Sequence, residues 1–335
     1  MRRTARGTAL AASVSALLIL SGCSGSGNEG SEEESSQGAE NEEGTRTVET
    51  AQGEVEIPAD PQRIVVLNYS LAGYLFNVDA PVVATTSRDF DYEGSFPEEW
   101  SDKAESEGTD WLPWSADGFD LEAVLDAEPD LIIGGGLGFP HGLAVDAYDE
   151  LSRIAPTVIV DGELEPWQEQ LEFLAVDVFD DQETYDSLVA DYEERRDEVS
   201  ENITPPEGEV VYVSFTADET PYVIIEDQGL PVALEEVGIE PAPIFEEGDF
   251  EPYQSAGDMF TLSSEEVGET LTQPTMFVMG FNADTTDVET LSENPVYSSL
   301  PAFENDQAYD LPYWAVRGNY DEAMNTLDVI EETFG

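Results

Sequence analysis

Short apolar runs alternate with segments of helical period along most of the chain. Residues 63–67 (RIVVL), 82–87 (VVATTS), 130–134 (DLIIG) and 157–161 (TVIVD) are brief and rich in β-branched residues. That is the form of parallel strands buried on both faces. Segments 70–78, 121–127 and 144–154 lie between them and suit helices. Strands separated by helices predict a parallel sheet covered by helices. Ahead of this set, 47–58 alternates around Gln52 and Gly53 as a hairpin does. Segments 167–178 and 183–203 read as helices. On the second, Tyr185, Leu188, Val189, Tyr192 and Val199 fall on one face, and the run from Thr204 to Gly208 (TPPEG) stops it. A second set of strands is expected at 209–217, 222–227, 276–281 and 308–311, with helices near 231–237, 263–270, 288–293 and 319–334. The pattern is two α/β lobes with one long helix between them.

The first 22 residues break this pattern and read as a leader. Arg2, Arg3 and Arg6 form a positive n-region, and 8–20 is apolar but shorter than the roughly 20 residues a spanning helix needs. It ends in Leu20-Ser21-Gly22-Cys23, the form of a bacterial lipobox. Small residues before the cysteine admit a peptidase, and the thiol takes the lipid, so Cys23 is the expected attachment site for diacylglycerol and palmitate. As the only cysteine, it excludes an internal disulfide and a Cys-based metal site. The Arg2-Arg3 pair, continued by Thr4-Ala5, is a poor twin-arginine signal. Residues 24–46 are Gly, Ser, Glu and Asn with almost no apolar side chains. They cannot bury enough surface to offset ordering and are expected to be a disordered tether with a reach of roughly 25 Å. The chain divides into 1–22 signal peptide, 23–46 acidic tether, 47–180 N-terminal lobe, 181–204 linking helix and 205–335 C-terminal lobe.

Charge changes the picture next. The chain carries 75 acidic and 11 basic residues, a formal net charge of −64, and three of the basic residues sit in the leader. Such a field opposes nucleic acid and anionic membrane surfaces. It fits a solvated acidic surface of the kind salt-tolerant organisms use. The acids are scattered, and no D-x-D-x-D-G calcium loop appears.

Several segments together resemble a known family. They are 53–67 (GEVEIPADPQRIVVL), 120–133 (DLEAVLDAEPDLII), 148–159 (YDELSRIAPTVI), 294–309 (NPVYSSLPAFENDQAY) and 314–318 (WAVRG). In order and spacing they resemble the substrate-binding lipoproteins of ABC importers for ferric siderophores and cobalamin, relatives of the periplasmic hydroxamate- and enterobactin-binding proteins. The resemblance spans about 47–335. It implies two Rossmann-like lobes joined by one long α-helix, a ligand cleft between the lobes, and small opening motions. It also implies a monomeric receptor held at the membrane by lipid and serving a permease and its ATPase. By the same resemblance Glu122 and Glu265, one per lobe, dock into arginine pockets of the permease, with Glu266 competing for the second position. The expected cargo is iron(III) inside a siderophore, with no intrinsic cofactor; cobalamin or haem is the alternative.

In open α/β sheets, ligands sit beyond the carboxyl ends of the strands. That rule selects Asn68, Tyr69, Arg88, the 135–141 loop (GGLGFPH), Thr216, Phe281, Tyr313, Trp314 and Arg317. Arginine is informative because seven arginines and Lys103 are the only basic residues after the leader. Arg63, Arg153, Arg195 and Arg196 read as structural or solvated. Arg88 and Arg317 each follow a strand, one per lobe, and a guanidinium fork suits the anionic oxygens around iron. Tyr69, Trp111, Trp114, Phe139, Phe281, Tyr313 and Trp314, with Tyr253, offer flat walls, and Trp111 to Trp114 is expected in a loop. His141 is the only histidine, which excludes zinc or manganese sites of several histidines, and no residue is expected to ligate metal directly. The glycines at 134–138 lack the Lys-Ser/Thr of a phosphate loop and suit a strand-end turn with close backbone approach. A secreted acidic α/β hydrolase is the rival class. No G-x-S-x-G elbow is present, and the loop around His141 offers no serine. A binder, not an enzyme, is expected.

Overall fold

The central strands of both lobes are built from apolar runs that are buried along their whole length. In a computed structural model describing residues 44–89, 95–253, 257–281 and 286–335, two five-stranded sheets form. The first contains β1 (Ile64–Val66), β2 (Val82–Thr86), β3 (Asp110–Leu112), β4 (Leu131–Gly135) and β5 (Thr157–Val160). Its spatial order is β3-β2-β1-β4-β5, all parallel. The second contains β6 (Val210–Phe215), β7 (Pro221–Ile224), β8 (Met259–Thr261), β9 (Thr275–Gly280) and β10 (Ala308–Asp310), in the order β8-β7-β6-β9-β10. It repeats the order of the first, but β6 pairs antiparallel with β7, and β7 with β8. In each sheet the order reverses beside the lobe's first strand, between β1 and β4 and between β6 and β9. Such switch points open crevices at the strands' carboxyl ends.

The hairpin Thr45–Thr50 with Gly53–Pro58 buries Val48, Val55 and Ile57 and packs on β5. It takes in Thr45 and Arg46, which the sequence reading placed in the tether. Cys23, the leader and the tether up to residue 43 lie outside the described residues. Helix α1 (Tyr69–Asn77) follows β1, α2 (Glu98–Glu107) precedes β3, and α3 (Leu121–Asp126) and α4 (Phe139–Asp146) flank β4. The single helix expected at 144–154 starts earlier, at Phe139, because Gly138 caps it with positive φ and Pro140 suits its first turn. It breaks at Ala147 before a short turn, Tyr148–Leu151. The helix expected at 167–178 is α5 (Trp167–Glu172) continued by a π-helical stretch, Phe173–Val178.

Between the two sheets in chain order runs α6 (Gln182–Asn202), 21 residues capped by Asp181. Tyr192 and Val199 are buried, and Tyr185, Leu188 and Val189 pack against the same core. After the second sheet, a 3-10 turn (Tyr313–Arg317) leads to the last helix, α8 (Tyr320–Phe334), with α7 (Ser264–Thr270) lying earlier, beyond β8. Residues 205–335 are expected to form the C-terminal lobe, and α8 within them packs on α1, α5 and α6. Asn77 donates to Asp321 (3.1 Å), and Tyr320 packs edge-on against Trp167 at 5.5 Å. Arg195 on α6 donates to Asp328 and Glu331, each at 2.6 Å. The chain therefore crosses between the lobes twice, through α6 and again into α8. No described helix is long and apolar enough to cross a membrane.

Candidate functional site

Asn68 sets the geometry of the first switch point. It caps α1 through Ser70 N–H (3.1 Å). Its side-chain amide donates to the carbonyls of Gly135 (2.8 Å) and Leu137 (3.1 Å), tying the end of β1 to the end of β4. The glycines at the end of β4 serve the close approach expected of them. Gly135 and Gly136 have φ of 89° and 72°. A Cβ on Gly135 would fall on the Val160 carbonyl of β5.

Arg88 follows β2, its side chain 18% exposed. Its guanidinium lies 4.4 Å over the Tyr69 ring and 5.7 Å from that of Tyr313. It forms an ion pair with Glu322 on α8, which is 12% exposed. These residues wall a groove of about 620 Å³, with Phe96, Glu98, Glu99, Trp314 and Asn325 also lining it. Arg317 ends the 3-10 turn and makes a two-pronged bond to Asp258, Nε at 2.7 Å and Nη2 at 2.5 Å. Burial pulls its pKa down, but the Asp258 hydrogen bonds and charge outweigh this and raise it. Its Nη1 lies 3.7 Å from where a Cβ on Gly138 would sit, so it faces the loop after β4. Glu165, beyond β5, has its pKa raised by burial first, then by the charges of Asp258, Asp227 and Glu169. Glu165 of the first lobe thus lies near Asp258, the carboxylate that holds Arg317.

The structure brings Tyr69, Arg88, Tyr313 and Trp314 together and places Phe139, half-exposed, next to the Gly138 that Arg317 faces. The others stand apart. Trp111 is in strand β3, not a loop, and packs behind the groove on Phe96 at 4.4 Å. Trp114 belongs to a two-residue antiparallel pair with Gly118–Phe119 and donates to Ser87 Oγ (3.2 Å). Phe281 packs on Tyr222 (4.5 Å), which meets Tyr253 at 5.0 Å, a separate aromatic group at the second switch point. Thr216 is a turn residue, bonded to Asp218 (2.5 Å) and to the Thr220 N–H (3.1 Å). His141 packs its ring on Gly162. Among the described residues no group of three or more His, Cys, Asp or Glu is placed to hold a metal ion.

Phe96, Asp258, Glu322 and Asn325 are site residues that the sequence reading missed. Glu322 carried a signal: Asn319-x-x-Glu322 is a capping box, and its carboxylate accepts from Asn319 N–H at 3.1 Å. The same motif separates the two docking candidates on the second lobe. Glu266 is held by the Ser263 N–H (2.8 Å) and hydroxyl (2.6 Å), whereas Glu265 stands exposed beside it. Glu122 is also exposed, and both Glu122 and Glu265 sit two residues after the capping residue of a short helix.

Beneath the groove, Asp321 packs against Asn77 and Tyr74 of α1 and near Glu99 and Lys103 of α2. Burial pushes its carboxyl up to about 6; Glu99 adds to this, while the Asn77 bond and Lys103 oppose it. An acid with a raised folded pKa binds its proton more tightly in the folded state. Its contribution is therefore unfavourable above pH ~6 and is relieved as pH falls from there toward ~4. Asp321→Asn is expected to stabilise the protein by about 2 kcal/mol at pH 7 and by much less at pH 4. Urea unfolding of both proteins at the two pH values checks this, since their difference cancels the acid-dependent repulsion common to both.

Residues 64–313 match a family model described as periplasmic binding protein. The ferric enterobactin-binding periplasmic protein FepB of Escherichia coli O6:H1 is 28% identical over 298 residues, covering 86% of this chain and 91% of FepB. The probable siderophore-binding lipoprotein YfiY of Bacillus subtilis is 25% identical over 331 residues, 95% of each chain. Among solved structures, holo-ViuP superposes with a TM-score of 0.72 at 24% identity, covering 87% of this chain and 95% of the other.

Proposed function

Because the chain belongs to the periplasmic binding protein family, we propose that it captures a ferric siderophore outside the cytoplasmic membrane and delivers it to an ABC permease. The observation that carries this reading is Arg88 in the groove beyond the end of β2, with Tyr69, Tyr313 and Trp314 around it, and Arg317 facing the loop after β4. The names of the E. coli and B. subtilis relatives support the same ligand class. Iron(III) arrives wrapped in its chelator, so the protein supplies anion contacts and aromatic walls, no metal ligands and no chemistry of its own. It acts as a monomeric binder, not an enzyme.

Cys23 carries the lipid anchor at the extracytoplasmic face, and the tether lets the folded body reach its membrane partner. Glu122 and Glu265 meet the permease, one from each lobe, while the ATPase works on the far side. Helix α6 acts as a stiff joint. The second crossing into α8, bonded to α1, α5 and α6, favours small opening motions over wide closure.

Tryptophan fluorescence titration with ferric catecholate, hydroxamate and carboxylate siderophores, haem and cobalamin tests the reading. Quenching by at least one ferric siderophore at micromolar or lower concentration is expected. Tight cobalamin or haem binding with silence from every iron chelate would reassign the receptor.

A further inference from the structure

Both cleft arginines are already matched by a carboxylate. Glu322 serves Arg88, and Asp258 serves Arg317. We propose that these two carboxylates are internal counter-anions which an incoming anionic chelate replaces, so that the site selects its ligand by negative charge. The proposal rests on the siderophore reading and adds what sets its specificity.

The Arg88 pair is the clearer case. A mostly buried arginine left alone is strongly unfavourable, so some anion must face it. Arg88 is held independently of Glu322, because Tyr69 and Tyr313 flank its guanidinium. Glu322 in turn has a second employment: its Oε2 accepts from Asn319 N–H, and only Oε1 faces Arg88. The carboxylate can give up the arginine while remaining the cap of α8. Arg317 repeats the logic with its fork on Asp258 and Nη1 turned toward Gly138. Replacing a carboxylate by another anionic oxygen keeps each guanidinium matched. A neutral chelate brings no charge to exchange and leaves both internal pairs intact. With Glu98 and Glu99 lining the same groove, a ligand must carry enough charge at the arginine to displace Glu322 against this surrounding repulsion.

Glu322→Gln tests the exchange, because glutamine at this helix position preserves the capping box. Ferric enterobactin, a trianionic tris-catecholate, and ferrichrome, a neutral trihydroxamate, are titrated against wild type, Glu322→Gln and Asp258→Asn. Each measurement is made at about 0.15 M and about 1 M salt. Each substitution is expected to tighten ferric enterobactin about 5- to 20-fold and to change ferrichrome less than about 2-fold. The Glu322→Gln gain is expected to persist at high salt, since contact exchange inside a pair only 18% and 12% exposed is poorly screened. A gain that vanishes in high salt reduces Glu322 to one more repulsive surface charge and overturns the proposal. So does an unchanged or weaker affinity in a variant whose melting temperature is intact. If wild type binds no ferric chelate, the siderophore reading itself falls; chelate binding without the predicted gain removes only the exchange.

Discussion

Arg88→Ala is expected to weaken binding of a trianionic ferric chelate by about 100-fold or more, and of a neutral one by less than about 3-fold. Two effects act in the same direction. The charge-assisted bonds to the ligand disappear, and truncating one partner of a buried charged contact typically costs about 2–5 kcal/mol, about 30-fold to several thousand-fold in affinity. The side chain of Glu322, 12% exposed, then faces the ligand as an unmatched anion. That charge, which keeps its bond from Asn319 N–H, also lowers stability, by less than the ~3–5 kcal/mol of a fully unpartnered buried ion. Arg88→Ala combined with Glu322→Gln separates the two. The double variant is expected to recover the melting temperature while still binding the trianionic chelate more weakly than wild type, because no guanidinium meets the ligand. Arg317→Ala should act similarly on binding and less on stability, because Asp258 is 22% exposed and better solvated when left alone. Isothermal titration of both single variants against the charged and neutral chelates reads the effect. Equal losses for the two ligands would remove the electrostatic role.

The two sheets were legible because their central strands are unambiguous. The run at 130–134 became β4, and the apolar stretch 209–217 became β6, every residue of which is buried. The edge strands β3 and β8 were not legible for the complementary reason, whereas the edges β5 and β10 were read at 157–161 and 308–311. β3 contributes only Asp110–Leu112, one residue of it buried, and a proline between two tryptophans (Trp111-Leu112-Pro113-Trp114) mimics a loop. The exact start of α4 was hidden in a glycine-rich run that also serves as a tight strand end. For the site, the strand-end rule selected Tyr69, Arg88, Tyr313, Trp314 and Arg317 from topology alone, and the first four line one groove. It could not find what pairs with them. Asp258 is one carboxylate among 75 acidic residues, and Glu322 is 234 positions from Arg88 in sequence. The same rule included Thr216, which the fold uses to close the β6–β7 turn. Long-range pairing in three dimensions leaves no periodic trace in one dimension, so charge partners were the part that needed coordinates.

Gly135→Ala is expected to destabilise the folded body by about 3–5 kcal/mol, enough to consume a large share of an ordinary domain's stability. Two costs add at this position. Its φ of 89° is one that side chains rarely adopt, and the new methyl would fall on the Val160 carbonyl and beside the Ile159 side chain of β5. Neither obstacle can rotate away, because the Val160 carbonyl accepts from Gly136 N–H at 2.9 Å and both strands are fully buried. Gly53→Ala supplies the control, since Gly53 has φ of 99° with nothing near a Cβ. That variant should lose only the conformational share, about 1–2 kcal/mol. The difference between the two denaturation midpoints measures the clash itself. If β4 and β5 separate to make room, the carbonyl of Gly135 moves off Asn68, and the loop that faces Arg317 moves with it. Chelate affinity should therefore fall in Gly135→Ala even under conditions where the protein remains folded, whereas Gly53→Ala, in the hairpin, should bind as wild type does.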